Sequence, residues 1–493
     1  MKKFYSLALC CLVTVAGWAQ NPAGNAFRSD YDAFQIDNLR RYFNCGNANM
    51  LNPGDELTVE VWLQFRDLGD NQKIIGKFGL NNSGFLLGVD QGRIYPEVWN
   101  PVHYDPIDGL MSPTALHWQH LAFSFTRGDS LRTYINGKQV GSHAVGPNPI
   151  STNTDPLIIG VASWDLSSFQ SFGNLDEVRI WNVARTSTEI RGAMFTELSG
   201  NESGLLAYYD FNQSTGNTLP DVSGNGNDGT GVNVDASEWV PSRAVIANAA
   251  TASKNDLQGL WNGLSFMDPR VASTNNGMTM VGSGMDTADY VVFGHDGGNG
   301  TSTADLESNV PNGFERTSRI WTTTEVGSVQ ANILMKLSDA AGSGTMLDDS
   351  KPAVNYTLLF RSGTSGEFKL AGKGASKNND VITFTNVFLQ QGEYVIGVGD
   401  AEYEGVVGIE NMEVLESVKV FPNPSNGLVS LNAQQAFHQS ALLEIIDLEG
   451  RTILRQTWNG AALELDLTAQ AAGVYVLRLS TEQGTHQKRL VIR

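Results

Sequence analysis

Two glutamates stand four residues apart in the stretch Glu56-Leu57-Thr58-Val59-Glu60. On a strand, alternate side chains leave the same face, so Glu56, Thr58 and Glu60 share one side. Two carboxylates on one face could share general acid–base work. Such a pair needs its acidities set apart by its surroundings, and Thr58 between them neither carries charge nor shares a proton. The pair reads as a polar strand face, and no catalytic residue is assigned.

A second cluster suits a metal. Asp221 to Gly229 packs Asp221, Ser223, Asn225, Asn227 and Asp228 among three glycines. Hard oxygen donors on a tightly turning backbone suit calcium. Asp221, Asn225 and Asp228 are therefore the candidate metal ligands, with Ca2+ as the candidate cofactor; an Asn/Gly-rich connecting turn is the other reading. The loop is not an EF-hand, because Val232 stands where the twelfth-position Glu belongs.

Aromatic residues in loop-like stretches can stack on sugar C–H faces. Trp99 and Trp164 are the candidate ligand-binding residues, with a core role as the alternative for each. His117 and His120 lie three apart and point to opposite faces of a strand, so they are not a ligand pair. Gly294-His295-Asp296-Gly297-Gly298-Asn299-Gly300 lacks the helix and Lys-Ser/Thr of a phosphate loop and reads as a turn.

The elements that must position these residues are strands. Leu57, Val59, Val61, Leu63 and Phe65 alternate with Glu56, Thr58, Glu60, Trp62 and Gln64, the pattern of a half-buried strand from Glu56 to Phe65. Leu121, Phe123 and Phe125 repeat it. Leu131 to Ile135 runs into Asn136-Gly137, the pair favoured in two-residue hairpin turns because both positions tolerate positive φ. Thr186 and Glu189 form a capping box for one helical piece. Further strand runs recur between Thr279 and Val398, including Thr317 to Trp321, after a polar bridge from Ala247 to Asp256. Many short strands and almost no helix predict sandwiches.

The chain has 493 residues, too many for one core. Its net charge of −19 repels phosphate backbones and anionic membrane surfaces, so nucleic acid is excluded as a partner. Lys2-Lys3, the apolar run Tyr5 to Val15 and the small residues Gly17 and Ala19 read as a signal peptide cleaved before Gln20. That run is too short to span a bilayer, and no other stretch is a transmembrane candidate. Of the 3 cysteines, Cys10 and Cys11 lie in the signal. Cys45 is left alone, a small buried residue with no disulfide partner.

The tail opens on Phe421-Pro422-Asn423-Pro424-Ser425-Asn426-Gly427, passes Asp447 and Gly450, then Gly473-Val474-Tyr475, and ends Lys488-Arg489-Leu490-Val491-Ile492-Arg493. It resembles the C-terminal sorting domain of the type IX secretion system of Bacteroidota. The resemblance implies export across the outer membrane, with the secretion machinery as a partner and the cell surface or the medium as destination.

The first part resembles the laminin-G-like, concanavalin A-like lectin/glucanase jelly roll. The motifs are Leu57-Thr58-Val59-Glu60-Val61-Trp62, His117-Trp118-Gln119-His120-Leu121-Ala122, Thr133-Tyr134-Ile135-Asn136-Gly137 and Leu175-Asp176-Glu177-Val178-Arg179-Ile180-Trp181. That family implies two antiparallel sheets and binding of glycan or protein, often with calcium. Its fold also carries family 16 glycoside hydrolases, whose Glu-x-Asp-x-Glu strand this chain departs from at Thr58.

The expected architecture is all-β. A signal peptide (1–19) precedes a concanavalin A-like jelly-roll sandwich (20–246). A second β-sandwich-like domain (247–415) and a small Ig-like β-sandwich sorting domain (416–493) follow. The expected function is non-enzymatic binding or adhesion at the cell surface, with a glycan or surface protein as ligand. A polysaccharide-degrading hydrolase and a structural adhesin without a defined ligand are the alternatives.

Overall fold

The computed structural model describes residues 22–29, 40–68, 71–79, 83–99, 103–104, 113, 115–261, 277–284, 289–327, 329–404, 418–432, 441–447, 451–458, 463–468, 470–481 and 484–493. The signal peptide, the Gly450 turn and most of the bridge into the tail lie outside these residues.

The first sandwich stacks two eight-stranded sheets. In the first, Glu56–Phe65 pairs with Trp118–Thr126 on one side and Gly173–Trp181 on the other. In the second, Gln72–Gly79, Ser83–Asp90 and Arg93–Trp99 form successive antiparallel pairs. Between the sheets, the alternating apolar residues meet as predicted: Leu57, Val59, Val61, Leu63 and Phe65 pack in one core with Phe43, Ile75, Phe85 and Leu87. Asn136 and Gly137 take φ of 52° and 69°, so the hairpin turn is the one their residue types allow. The Thr186–Glu189 capping box is formed, and it starts the helix Ser187–Ala193.

The strand Glu56–Phe65 is not half-buried, as its alternation predicts. Both of its faces are covered. Thr58, Glu60 and Trp62 on the outer face are each 0% exposed. The cover comes from the helix Ser187–Ala193, the segment after it, and the second sandwich. Trp62 donates from Nε1 to the Met194 carbonyl at 2.7 Å, and its ring meets Trp261 edge-on at 5.8 Å. Trp261 in turn donates to the Trp118 carbonyl at 3.0 Å, and the Tyr290 hydroxyl reaches the Ile246 carbonyl at 3.1 Å. Trp62, Trp118, Phe195, Ile246, Trp261 and Val292 form one apolar seal between the two sandwiches. Gly259 is required there, since a Cβ would stand 2.6 Å from the Phe195 ring.

The second sandwich has an eight-stranded and a four-stranded sheet. The expected strand Thr317 to Trp321 is two pieces, Glu315–Thr317 and Trp321–Val326, paired to different ends of Gly392–Val398. The break follows from hydrogen bonding: Ser318 and Ile320 donate their amides to the Gly300 carbonyl and the Asp296 carboxylate instead of to a strand. The tail has a three-stranded and a four-stranded sheet. Its opening motif has a mechanical role. Asn423 donates to the Arg489 carbonyl at 2.7 Å and accepts the Val491 amide at 2.9 Å, and Ser425 exchanges backbone bonds with Val491 and Arg493. The Pro-Asn-Pro segment thereby latches the final strand Gly484–Ile492.

Replacing Trp62 with Ala removes a fully buried indole from the seal and is expected to cost about 3–5 kcal/mol. Chemical denaturation of the full chain measures it; a loss under about 1 kcal/mol would mean that the seal does not hold the sandwiches together.

Candidate functional site

The glutamate strand face is a clamp. Glu56 accepts the Ala184 amide at 3.3 Å. Thr58 donates its hydroxyl to the Val183 carbonyl at 2.7 Å and accepts the Arg185 amide at 2.8 Å. Glu60 accepts from the Arg185 guanidinium at 2.8 Å and lies 3.3 Å from His120 Nε2. The row Glu56, Thr58, Glu60 is thus zipped to the segment entering the helix. Thr58 suits its place because a hydroxyl both donates and accepts. Burial pushes the Glu60 carboxyl up, but the His120 ring and the Arg185 charge outweigh it and hold it at about 2. His120 is not paired with His117 as a ligand set; it packs edge-on against Trp62 at 5.5 Å.

The Asp221 cluster is also filled. Asp221 Oδ1 accepts the Tyr208 amide at 3.1 Å, the Ser223 amide at 3.0 Å and the Ser223 hydroxyl at 2.6 Å. Its Oδ2 accepts the amide and side-chain N–H of Asn227, at 3.0 and 3.1 Å. Asn225 donates to the Leu205 and Leu206 carbonyls, and Asp228 accepts the Asp221 amide at 2.8 Å. The structure therefore brings the three predicted ligands into one loop. It also spends both Asp221 oxygens on N–H and O–H donors, so an ion would have to displace these donors. Asn227 Oδ1, by contrast, is buried in the same loop with no hydrogen-bond partner among the described residues.

The two predicted tryptophans meet through a residue that the sequence reading passed over. Phe78 and Trp99 occupy one cross-strand row with Gly84 between them. Gly84 has φ of 96° and no side chain, so the two rings close over it at 6.4 Å. Trp164 packs on the other side of Phe78 at 5.2 Å, and Phe169 continues the row at 6.0 Å from Trp164. Trp99 ends a strand rather than lying in a loop, as its context suggested. Trp164 does lie in a loop, between Ile158–Ile159 and Gly173–Trp181.

That loop is fixed to the sheet. The Ser163 hydroxyl accepts the Phe78 amide at 3.0 Å and donates to the Phe78 carbonyl at 2.9 Å. Lys73 donates its amide to the Phe169 carbonyl at 2.9 Å. The loop thus completes the hydrogen bonding of Gln72–Gly79 on both sides of the two-residue strand beside it. Trp99 and Trp164 are half-buried, and Phe169 is 37% exposed. Trp99 Nε1 donates to Glu97 at 3.0 Å. Tyr95, Glu97 and Trp99 alternate on the outer face of their strand, opposite the core residues Ile94 and Val98. That alternation, with Gly84 and Gly88 on the neighbouring strand, was the available sequence signal for this face.

Residues 37–191 match the concanavalin A-like lectin/glucanases superfamily, and residues 419–493 match the secretion system C-terminal sorting domain. The chain thus carries a laminin-G-like domain of the concanavalin A-like superfamily and a type IX sorting domain. The sorting domain implies export, to the cell surface or the medium. No curated protein matches the chain. Among solved structures, the chain is similar to a putative carbohydrate binding protein from Bacteroides ovatus: 19% identity, TM-score 0.36, covering 45% of this chain and 61% of that one. It is similar to domain 4 of AbnA, an extracellular arabinanase from Geobacillus stearothermophilus, in complex with arabinotriose: 23% identity, TM-score 0.23, covering 28% and 66%. It is also similar to the CBM40 of the Ruminococcus gnavus IT-sialidase bound to α2,3-sialyllactose: 11% identity, TM-score 0.27, covering 31% and 90%. The chain spans under two thirds of the length of the first two.

Two outcomes follow from the filled clusters. Glu60 sits below its ordinary value of 4.5, so its contribution to stability is complete above pH 4.5 and is lost as pH falls toward about 2. The stability gap between the wild type and Glu60→Gln should therefore narrow across that window in acid denaturation. Asp221→Ala strands several buried donors and is expected to cost roughly 3–5 kcal/mol. Chelator should leave the Tm of the wild type unmoved; a rise in Tm on adding calcium would show that the donors yield to the ion.

Proposed function

We propose that the exported chain is a non-enzymatic glycan-binding protein whose first sandwich holds sugar on the outer face of its second sheet. The observation that carries this is the convergence of Phe78, Trp99, Trp164 and Phe169 into one row of rings. A sugar ring presents an apolar C–H face that stacks on such rings, while hydroxyls at its edge need polar partners nearby. Glu97, holding Trp99 in place, supplies one. The rings stand on a sheet and a doubly anchored loop, which limits the ordering cost of binding.

The opposite sheet supports the reading of binding without cleavage. The glutamates that resemble a hydrolytic pair are engaged by the segment 183–185, and Glu60 is 0% exposed beneath the helix. A substrate would have to displace that segment to reach Glu60.

A glycan array probed with the full chain tests the reading. Trp164→Ala is expected to weaken the retained glycans by about tenfold or more, and Trp99→Ala to add to the loss. Unchanged binding in both variants would overturn the site. Reducing-sugar release abolished by Glu60→Gln would establish a hydrolase instead.

A further inference from the structure

The face that carries the aromatic row also carries an unusual cation. The Lys73 side chain is 3% exposed, and its Nζ lies 4.2 Å from the centre of the Tyr95 ring. Gly88 separates the two in the strand register, so no side chain stands between ammonium and ring. A Cβ on Gly88 would come within 2.9 Å of Lys73 Cδ. Among the described residues, Nζ has no hydrogen-bond acceptor and no carboxylate within the 4.0 Å of an ion pair. Burial pushes the Lys73 ammonium down, to about 8, while Glu97 and Asp90 pull it up through space without touching it.

The charge of Lys73 is thus partly balanced, whereas its donors are not. An ammonium has three N–H groups, and among the described residues none of those on Lys73 meets a protein acceptor, so water or a ligand must supply one. What the site lacks is acceptor atoms, not negative charge. An anionic ligand would meet Glu97 and Asp90 at close range and a chain of net charge −19 beyond them. A hydroxyl oxygen supplies an acceptor with no charge.

Resting on the aromatic-face reading above, we propose that Lys73 and Glu97 form the polar end of the glycan site and select a neutral sugar with adjacent hydroxyls. One hydroxyl accepts from Lys73 Nζ, and its neighbour donates to Glu97. Tyr95 and Trp99 lie four residues apart on one strand, about 13 Å. A ligand that reaches both Lys73 and the aromatic row is therefore an oligosaccharide and not a single sugar.

Titration of the full chain with neutral gluco-, galacto-, xylo- and arabino-oligosaccharides, and with sialyllactose and oligogalacturonate, tests this. Neutral oligosaccharides should bind and acidic ones should not. Lys73→Met, which keeps the apolar stem, should weaken neutral binding by about tenfold. Wild-type affinity should fall as pH rises through about 8, a readout that needs no variant to fold. If Trp164→Ala abolishes binding while Lys73→Met and pH change nothing, this proposal falls and the aromatic site stands. A preference for the acidic sugars that Lys73→Met removes would overturn the neutral class. If no substitution on this face alters binding, or no glycan binds, both proposals fall.

Discussion

The first sandwich is organised by what happens on the outer side of the strand Glu56–Phe65. A jelly-roll sheet ordinarily leaves one face to water. Here Glu56, Thr58 and Glu60 are hydrogen-bonded to the segment 183–185, and Trp62 is driven into the second sandwich. Burying carboxylates is unfavourable unless each meets a cation or a donor. Arg185 meets that demand for Glu60 Oε1, His120 Nε2 stands 3.3 Å from Oε2, and Thr58, which both donates and accepts, serves the backbone of 183–185. With this face closed, the aromatic row lies on the outer face of the other sheet.

That second face depends on missing side chains. Gly84 lets Phe78 and Trp99 close over the middle strand, and Gly88 lets Lys73 reach Tyr95. Any L residue at Gly84 would be strained by its φ and would strike the Lys77 carbonyl at 1.9 Å. The Asn153 side chain closes the same corner, donating to the Lys77 and Ser83 carbonyls and accepting from Lys77 Nζ. A rigid floor with gaps in it gives aromatic and charged groups fixed positions relative to one another.

Much of the fold was legible in the chain because local rules and tertiary packing agree. The alternation of Leu57 to Phe65, the Asn136-Gly137 turn and the Thr186–Glu189 box each specify their element through nearest neighbours. The candidate site was legible in part. Trp99 and Trp164 stood out as residue types, but nothing local says that Phe78 joins them or that the Ser163 hydroxyl pins their loop. Glu60 and Asp221 are ambiguous for a related reason. Carboxylates that organise backbone look, in sequence, like carboxylates that hold substrate or metal. Period two reports that a face is polar, but a partner elsewhere in the chain decides whether that face is wet.

Cys45 lies beside Tyr209 in the core of the first sandwich, and burial pushes its thiol up to about 12. Thiol–disulfide exchange proceeds through the thiolate. A chain addressed beyond the cell envelope crosses oxidising surroundings, where an accessible odd cysteine is open to capture by other thiols. Enclosed and protonated, this sulfur is little open to exchange for as long as the sandwich stays folded.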